Sequence, residues 1–401
     1  MDPSSMRLLV ISRCSNSFSS SRGGADVVAL STATLLSRRG INTWYVGEGT
    51  SQSYNLHIVP LSGRGMGVRS RGNPRVDALR YLVSELRNVI RATFRGAQTL
   101  DQVLPNVVLS NHSISTIVLR IWSPKVPIVY RMHDGIHAQR FSKGFLEWTA
   151  RFLMSEVLER LATKVATHIV TPNGRVTAEL LTLGRSPSRI TTLYPLLAPT
   201  TRSSSQSSLE HIAESSEDFA VPRDQFVLSV GQQTGRKRFD LLIRAVSGST
   251  EPIRLVLVGD GPLHRHYEQL AINERVRDRV TFLTNVPDAL LDSLYHSCSL
   301  FALVSENEGF PVTVVEALSH GCPTYFACPN SPNDFSDSGP AIRIESTLPS
   351  DREIAAVFDE YARMSGPRRK ELRASALALA ESVFPDPARL TETFLSILER
   401  I

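Results

Sequence analysis

Cysteine is scarce in this chain. Four occur among 401 residues (Cys14, Cys298, Cys322 and Cys328), none of them in a C-x-x-C pair. That scatter supplies neither a disulfide framework nor a zinc site and fits a reducing compartment. No apolar run approaches the roughly 20 residues that span a bilayer. The opening Met-Asp-Pro-Ser-Ser-Met has no apolar signal-peptide core, and Met6 is a second candidate start. There is no G-x-G-x-x-G, which weakens a dinucleotide oxidoreductase assignment. The Gly- and Arg-rich stretch 62–75 (Arg64, Arg69, Arg71, Arg75) contains no aromatic side chain. A nucleic-acid binder would interleave aromatics with its cations, so no nucleic acid is expected as partner.

What is present fits two globular domains, each with its own core. Hydrophobic content is 42% and charged content 21%, ordinary for a soluble protein. The net charge of +5 conceals an asymmetry. Residues 1–200 carry 24 Lys and Arg against 11 Asp and Glu, hence +13, which leaves −8 for the rest. A basic first half suits anionic lipid headgroups or an anionic acceptor; it serves equally as a solubilising surface.

Residues 6–12 predict a buried strand, 25–39 a helix with Val28, Leu30, Leu35 and Leu36 apolar, and 41–46 a second strand. That β-α-β order makes a parallel sheet. Gly23 and Gly24 at the helix start allow close backbone approach to a phosphate or sugar, although a Gly pair is most often a turn. A helix over 75–95 and strands over 107–110 and 127–131 follow. The last of these leads into Met132-His133-Asp134-Gly135. A lone His is usually structural, but ligands gather at strand C-terminal ends in such sheets. Residues 143–164 predict a long helix with Phe145, Trp148, Phe152, Leu153 and Leu161 inward. Residues 166–171 and 190–194 predict strands with a helix between them. Seven serines between Ser203 and Ser216 mark a linker.

Beyond it, strands are expected at 226–230, 255–258, 280–283 and 300–304, with helices at 290–297, 351–364, 367–382 and 388–400. The densest stretch is 305–323, Ser-Glu-Asn-Glu-Gly-Phe-Pro-Val-Thr-Val-Val-Glu-Ala-Leu-Ser-His-Gly-Cys-Pro. It reads as a loop after a buried strand, then a helix from Pro311 with Val312, Val315 and Leu318 at helical spacing. Two carboxylates, Glu308 and Glu316, beside free helix N–H groups suit a ligand both hydroxylated and anionic. Alone, the pair reads equally as a helix-start acid and a solvated face.

The whole string resembles the E-x7-E signature of retaining GT-B glycosyltransferases of family four. Arg22-Gly23-Gly24-Ala25 resembles that family's N-terminal loop, His133-Asp134 its His-Asp, and Gly259-Asp260-Gly261-Pro262 its V-G-x-G-P loop. Gly231 to Asp240 resembles its G-R-L-x-x-x-K-G-x-D segment, with Lys237 on the Lys but Gln232 on the Arg and Arg238 on the Gly. After Pro323 the likeness fades.

The resemblance implies an α/β GT-B fold of two Rossmann-like domains facing a cleft. The acceptor domain would be 1–196, the linker 197–222 and the nucleotide-sugar domain 223–383, with 384–401 a helix returning to the first domain. It implies Glu308, Lys237 and His133 as catalytic residues. Glu316 would take the ribose hydroxyls. Gly309, Phe310, Pro311, Val312, Gly259, Gly261, Asn285 and Val286 would line the donor. Gln232, Arg236 and Arg238 would flank the diphosphate, and Gly23 and Gly24 a phosphate or acceptor loop. With no D-x-D in the chain, neither a metal nor any other cofactor is expected. The donor would be a UDP- or GDP-sugar, and the acceptor a glycan or lipid-linked hydroxyl. The place implied is the cytoplasm, peripheral on an anionic membrane face. A non-catalytic partner of another transferase, or a GT-B sugar-nucleotide epimerase, are the alternatives.

Overall fold

Five-residue runs with every side chain apolar or small, such as Leu300-Phe-Ala-Leu-Val, can be buried on both faces only in a parallel sheet covered by helices. Two such sheets organise the chain. The computed structural model describes residues 5–12, 24–47, 55–61, 74–136, 153–195, 225–329, 339–383 and 386–401. Gly23, most of the basic stretch 62–75, the inward aromatics Phe145, Trp148 and Phe152, and the linker 197–222 lie outside the described residues.

The first sheet comprises β1 (Arg7–Ile11), β2 (Asn42–Val46), β3 (Leu56–Val59), β4 (Val107–Ser110), β5 (Ile128–Arg131), β6 (His168–Thr171) and β7 (Ile190–Thr192). Its order is β3-β2-β1-β4-β5-β6-β7. All of its pairs are parallel, with Ile11 opposite Val46 on one side and Ser110 on the other. Its helices are α1 (Gly24–Arg38), α2 (Pro74–Val103), α3 (Ser113–Trp122), α4 (Arg160–Val165) and α5 (Gly174–Thr182). A wider turn of helix, Leu153–Glu159, precedes α4.

The second sheet comprises β8 (Phe226–Val230), β9 (Arg254–Val258), β10 (Val280–Leu283), β11 (Leu300–Val304), β12 (Thr324–Ala327) and β13 (Ile342–Glu345), in the order β10-β9-β8-β11-β12-β13. It too is parallel throughout. Around it lie α6 (Phe239–Gly248), α7 (His264–Asn273), α8 (Asp288–Ser297), α9 (Val312–Ser319), α10 (Asp351–Arg363) and α11 (Gly366–Val383). Ser350 and Glu353 form a reciprocal capping box at the start of α10.

The final helix, α12 (Pro387–Arg400), leaves this unit. Its Leu390, Phe394, Ile397 and Leu398 share one core with Leu8, Val10 and Leu109 of the first sheet. The fully buried Arg131 guanidinium stacks 5.2 Å above the Phe394 ring and donates to Thr32 Oγ1 at 2.5 Å. Burial lowers its pKa to about 10.

Several expectations are corrected. The helix predicted over 75–95 runs to Val103, and α3, β3, β12 and β13 had no prediction. Leu161, expected inward, is 39% exposed. Cys298 and Cys322, 24 residues apart, form a disulfide pair with Cα atoms 6.7 Å apart, while Cys328 is a buried free thiol. Sequence spacing carries no trace of that pairing; two loops on one edge of the second sheet make it. Among the described residues no helix is long and apolar enough to cross a membrane.

Candidate functional site

In each sheet the strand order reverses between two adjacent strands, β1 and β4 in the first, β8 and β11 in the second. Crevices at the C-terminal ends of such strands are where open α/β sheets bind ligands. The loops after β8 and β11 meet at the second crevice. The loop after β5 faces them from the first sheet.

After β8 a short 3-10 turn, Gly235–Lys237, brings two cations onto Glu308 of the β11 loop. Lys237 Nζ donates to Glu308 Oε1 at 2.8 Å, and Arg236 Nη1 lies 3.3 Å from Oε2. Arg236 also donates to the Asn307 carbonyl at 2.5 Å. Glu308 and Lys237 are both buried. Burial alone would raise the Glu308 carboxyl, but the Lys237 and Arg236 charges outweigh it and hold it below the ordinary carboxylate range.

Arg238 takes a different course. Its backbone is left-handed (φ 42°), and its guanidinium turns to Asp240 at 3.0 Å and Glu306 at 3.7 Å. The structure therefore places Arg236, rather than Arg238, beside Lys237. Gln232 is half-buried at the mouth of the same loop.

Glu316 sits in the second turn of α9 in a different setting. Its Oε2 accepts a hydrogen bond from the Tyr295 hydroxyl at 2.9 Å, and burial raises its carboxyl to about 7. The His320 ring stacks on Tyr295 with centroids 5.3 Å apart. Its Nδ1 hydrogen-bonds the Glu316 carbonyl at 2.7 Å, and its Nε2 lies 3.3 Å from Asp292. Burial lowers the His320 pKa, but the Asp292 hydrogen bond outweighs it, so the net shift is upward.

The α9 N-terminus is less open than the sequence implied. The N–H of Val312 is engaged by the Phe310 carbonyl at 3.0 Å and that of Val314 by the Pro311 carbonyl at 2.9 Å. Pro311 is buried, and Val312 is half-buried.

Gly309 is the point where the two halves touch. A Cβ there would collide with the His133 carbonyl oxygen, so only glycine fits. Asn173 caps α5 by accepting from Val176 N–H at 2.9 Å, while its amide nitrogen donates to the Gly309 carbonyl. Arg175 reaches the Glu308 carbonyl at 3.4 Å, and Tyr194 packs on Phe310 with centroids 5.6 Å apart. His133 Nε2 is 3.2 Å from Asn111 Oδ1, and Asn111 Nδ2 donates to the Ile11 carbonyl at 3.0 Å. His133 is thus tied to the end of β1, where Gly24 opens α1.

Gly259 (φ 130°) and Gly261 press on the backbone of the β8 loop. A Cβ at Gly259 would strike the Gly231 carbonyl oxygen, and one at Gly261 would lie 2.5 Å from the Gln233 oxygen. Gln233 fastens the two loops, donating to the Gly259 carbonyl at 2.7 Å and meeting His264 Nδ1 at 3.0 Å. Asn285 is left-handed (φ 58°). The Val286 side chain belongs to the core beneath, so only its backbone can face a ligand.

Asn173, Asn111, Arg175 and Tyr295 had no place in the sequence-based site. Asn111 and Asn173 follow strands β4 and β6, a position that was itself a signal. Tyr295 lies 21 residues from Glu316 and carried no local sign.

Comparison with known proteins places these features. The family model described as "Glycosyltransferase Family 4" matches residues 22–197, and the one described as "Glycosyl transferases group 1" matches 212–326. Together they take in most of the chain. An uncharacterized glycosyltransferase of Methanocaldococcus jannaschii is 32% identical over 102 residues, 25% of this chain and 26% of that protein. The D-inositol 3-phosphate glycosyltransferase of Nocardia farcinica is 24% identical over 403 residues, with 90% of this chain and 81% of that one covered. Among solved structures, Anabaena Alr3699/HepE in complex with UDP and glucose superposes with a TM-score of 0.68 at 16% identity, covering 99% of this chain and 100% of that one. WaaG, a glycosyltransferase involved in lipopolysaccharide biosynthesis, gives 0.69 at 20% identity, covering 98% and 99%. At such identities these structures establish the common GT-B architecture.

Proposed function

The chain is a member of glycosyltransferase family four, and on that premise we propose that it moves a sugar from a UDP- or GDP-linked donor to a hydroxyl of a glycan or lipid-linked acceptor. The configuration at the anomeric carbon is retained, and no metal takes part. The observation that carries this reading is the buried Lys237–Glu308 pair, 2.8 Å apart, at the reversal point of the second sheet and beneath the loop that touches His133.

In the reaction, the bond from the anomeric carbon to the diphosphate oxygen breaks and the electron pair leaves with the diphosphate. Lys237, with Arg236 beside it, meets that growing charge. A cation already held in place stabilises the transition state more than the ground state, so it lowers the barrier. The acceptor oxygen bonds the anomeric carbon on the same face, and its proton passes to a donor phosphate oxygen. Glu308 takes hydroxyls of the transferred sugar and keeps Lys237 charged and oriented. Glu316 takes the ribose hydroxyls on the oxygen that Tyr295 leaves open. His133, steadied by Asn111, contacts the sugar from the first domain. UDP stands first among the nucleotides because the HepE structure holds UDP and glucose.

Thermal unfolding with UDP, GDP, ADP and their sugar conjugates, on the wild type and Glu316→Ala, tests the reading. One nucleotide should raise the melting temperature of the wild type alone, and its sugar conjugate should be consumed when acceptors are supplied. Stabilisation without transfer or donor hydrolysis would support the non-catalytic partner. Epimerised free donor would support the epimerase. No stabilisation by any nucleotide would refute the donor site.

A further inference from the structure

Helix α2 is 30 residues long, about 45 Å, against strands of four or five residues. Its lower half packs on the first sheet through Val89, Ala92, Ala97 and Leu100, all buried. Gly96 marks the level of the sheet edge. A Cβ there would lie 2.5 Å from Ile11 Cδ1, and Ile11 is the last residue of β1. Thr93, one turn earlier, bonds Ser115 in the first turn of α3 at 2.8 Å. Everything on α2 before Gly96 therefore stands at or beyond the C-terminal edge of the sheet, on the side where the cleft opens.

That overhanging half exposes its apolar side chains. Val83, Leu86, Ile90 and Phe94, spaced three, four and four residues apart, are 50%, 42%, 41% and 60% exposed. They form one stripe along the helix. At about 100° per residue, Arg80, Arg87 and Arg91, all exposed, run along one flank of it. Arg87 and Arg91 have no ion pair among the described residues. The one acid among the described side chains of α2 is Asp101, and it accepts from the indole N–H of Trp122, which is itself exposed and extends the stripe. A row of aliphatic and aromatic side chains bordered by arginines is the profile of a helix lying in a lipid headgroup region.

We propose that this face of α2 docks the protein on a lipid bilayer carrying anionic headgroups, with the stripe in the acyl boundary and Arg80, Arg87 and Arg91 among the phosphates. Because the stripe rises from the cleft rim, docking sets the cleft mouth against the membrane, where a lipid-linked hydroxyl would be presented. The inference goes beyond the proposed transfer and stands independently of the donor site, so vesicle binding and donor binding can fail separately.

The experiment is co-sedimentation of the full chain with phosphatidylcholine vesicles, with and without one third phosphatidylglycerol, at low and high salt. Wild type should partition onto the anionic vesicles, less so at high salt. Ile90→Ser with Phe94→Ser should weaken partition more than about tenfold. Arg87→Gln with Arg91→Gln should weaken it about fivefold per charge at low salt, and high salt should narrow that gap. These side chains are exposed, so both pairs should melt with the wild type; if one pair melts early, the other carries the test. Absence of binding to anionic vesicles, or equal binding by wild type and both pairs, would overturn the proposal. So would vesicle-free self-association abolished by the serine pair, which would make a second copy of the chain the occupant.

Discussion

Glu308 and Glu316 are eight residues apart, on either side of one helix start, yet their surroundings are opposite. Glu308 lies between two cations, Lys237 at 2.8 Å and Arg236 at 3.3 Å, and its carboxyl is held below the usual range. Glu316 has a neutral phenol for its nearest partner, and burial raises it to about 7. One carboxylate is charged at every working pH and serves to fix a cation. The other sits close to its own titration point and can exchange water for ligand hydroxyls. The residue type is the same; the neighbours decide the role.

The largest expected effect comes from breaking the charged side. Lys237→Ala should lower kcat by about two to three orders of magnitude with a smaller change in donor KM, because its charge is needed most as the diphosphate leaves. It should also cost about 3 kcal/mol of stability, since the buried Glu308 keeps only Arg236. Steady-state kinetics and denaturant unfolding check both. Glu308→Gln retaining full turnover on a confirmed donor would refute the role given to Glu308.

Gly309→Ala comes next. Its methyl would strike the His133 carbonyl and part the two loops, so kcat/KM should fall about ten- to a hundredfold. Asn173→Ala removes a helix cap and a bond to the Gly309 carbonyl together. A loss of about 1–2 kcal/mol in unfolding free energy is expected, with a several-fold drop in kcat/KM.

The neutral side gives a pH signature. Glu316 keeps its proton in the folded state between its ordinary 4.5 and about 7, while the unfolded chain releases it. Its contribution to stability is therefore present below 4.5 and lost as pH rises to about 7; the sign for Glu308 is the reverse, lost as pH falls through its lowered value. Glu316→Gln should match wild type at pH 5 and exceed it by about 1–2 kcal/mol at pH 8, a figure discounted for partial exposure. His320, His296 and Asp292 face the same region and should be followed by NMR in the same titration. UDP-sugar affinity of the wild type should strengthen as pH rises through about 7, and Glu316→Gln should flatten that dependence.

The smallest effect expected is from Tyr295→Phe. Loss of one hydrogen bond should raise donor KM about fivefold with kcat nearly unchanged. It should also move the pH midpoint of donor binding upward, because the phenol lowers the Glu316 pKa. A KM change without that shift would make Tyr295 a packing residue only.

Much of the fold was legible because apolar runs and Gly or Pro breaks are local signals. The strands at 280–283 and 300–304 match the structure residue for residue. Helix α3 was missed because it opens Ser113-Ile-Ser-Thr, with Ser113, Ser115 and Thr116 buried rather than an apolar stripe. β12 was missed where Cys322 and Pro323 suggested a break. Arg238 was read as a donor cation on charge alone, but its αL backbone turns it to Asp240 and Glu306.

By itself the sequence determined the two parallel α/β units, the strand–loop–helix around Glu308 and Glu316, and the loop that bears Lys237. Hydrophobic periodicity and turn chemistry act over a few residues and need no distant partner. Tertiary structure alone decided that Lys237 and Arg236 close on Glu308 across 71 and 72 positions, that Tyr295 marks Glu316, and that Asn173 and His133 meet Gly309. Burial and charge pairing depend on which chain segments are adjacent in space, and spacing along a single sequence does not encode that.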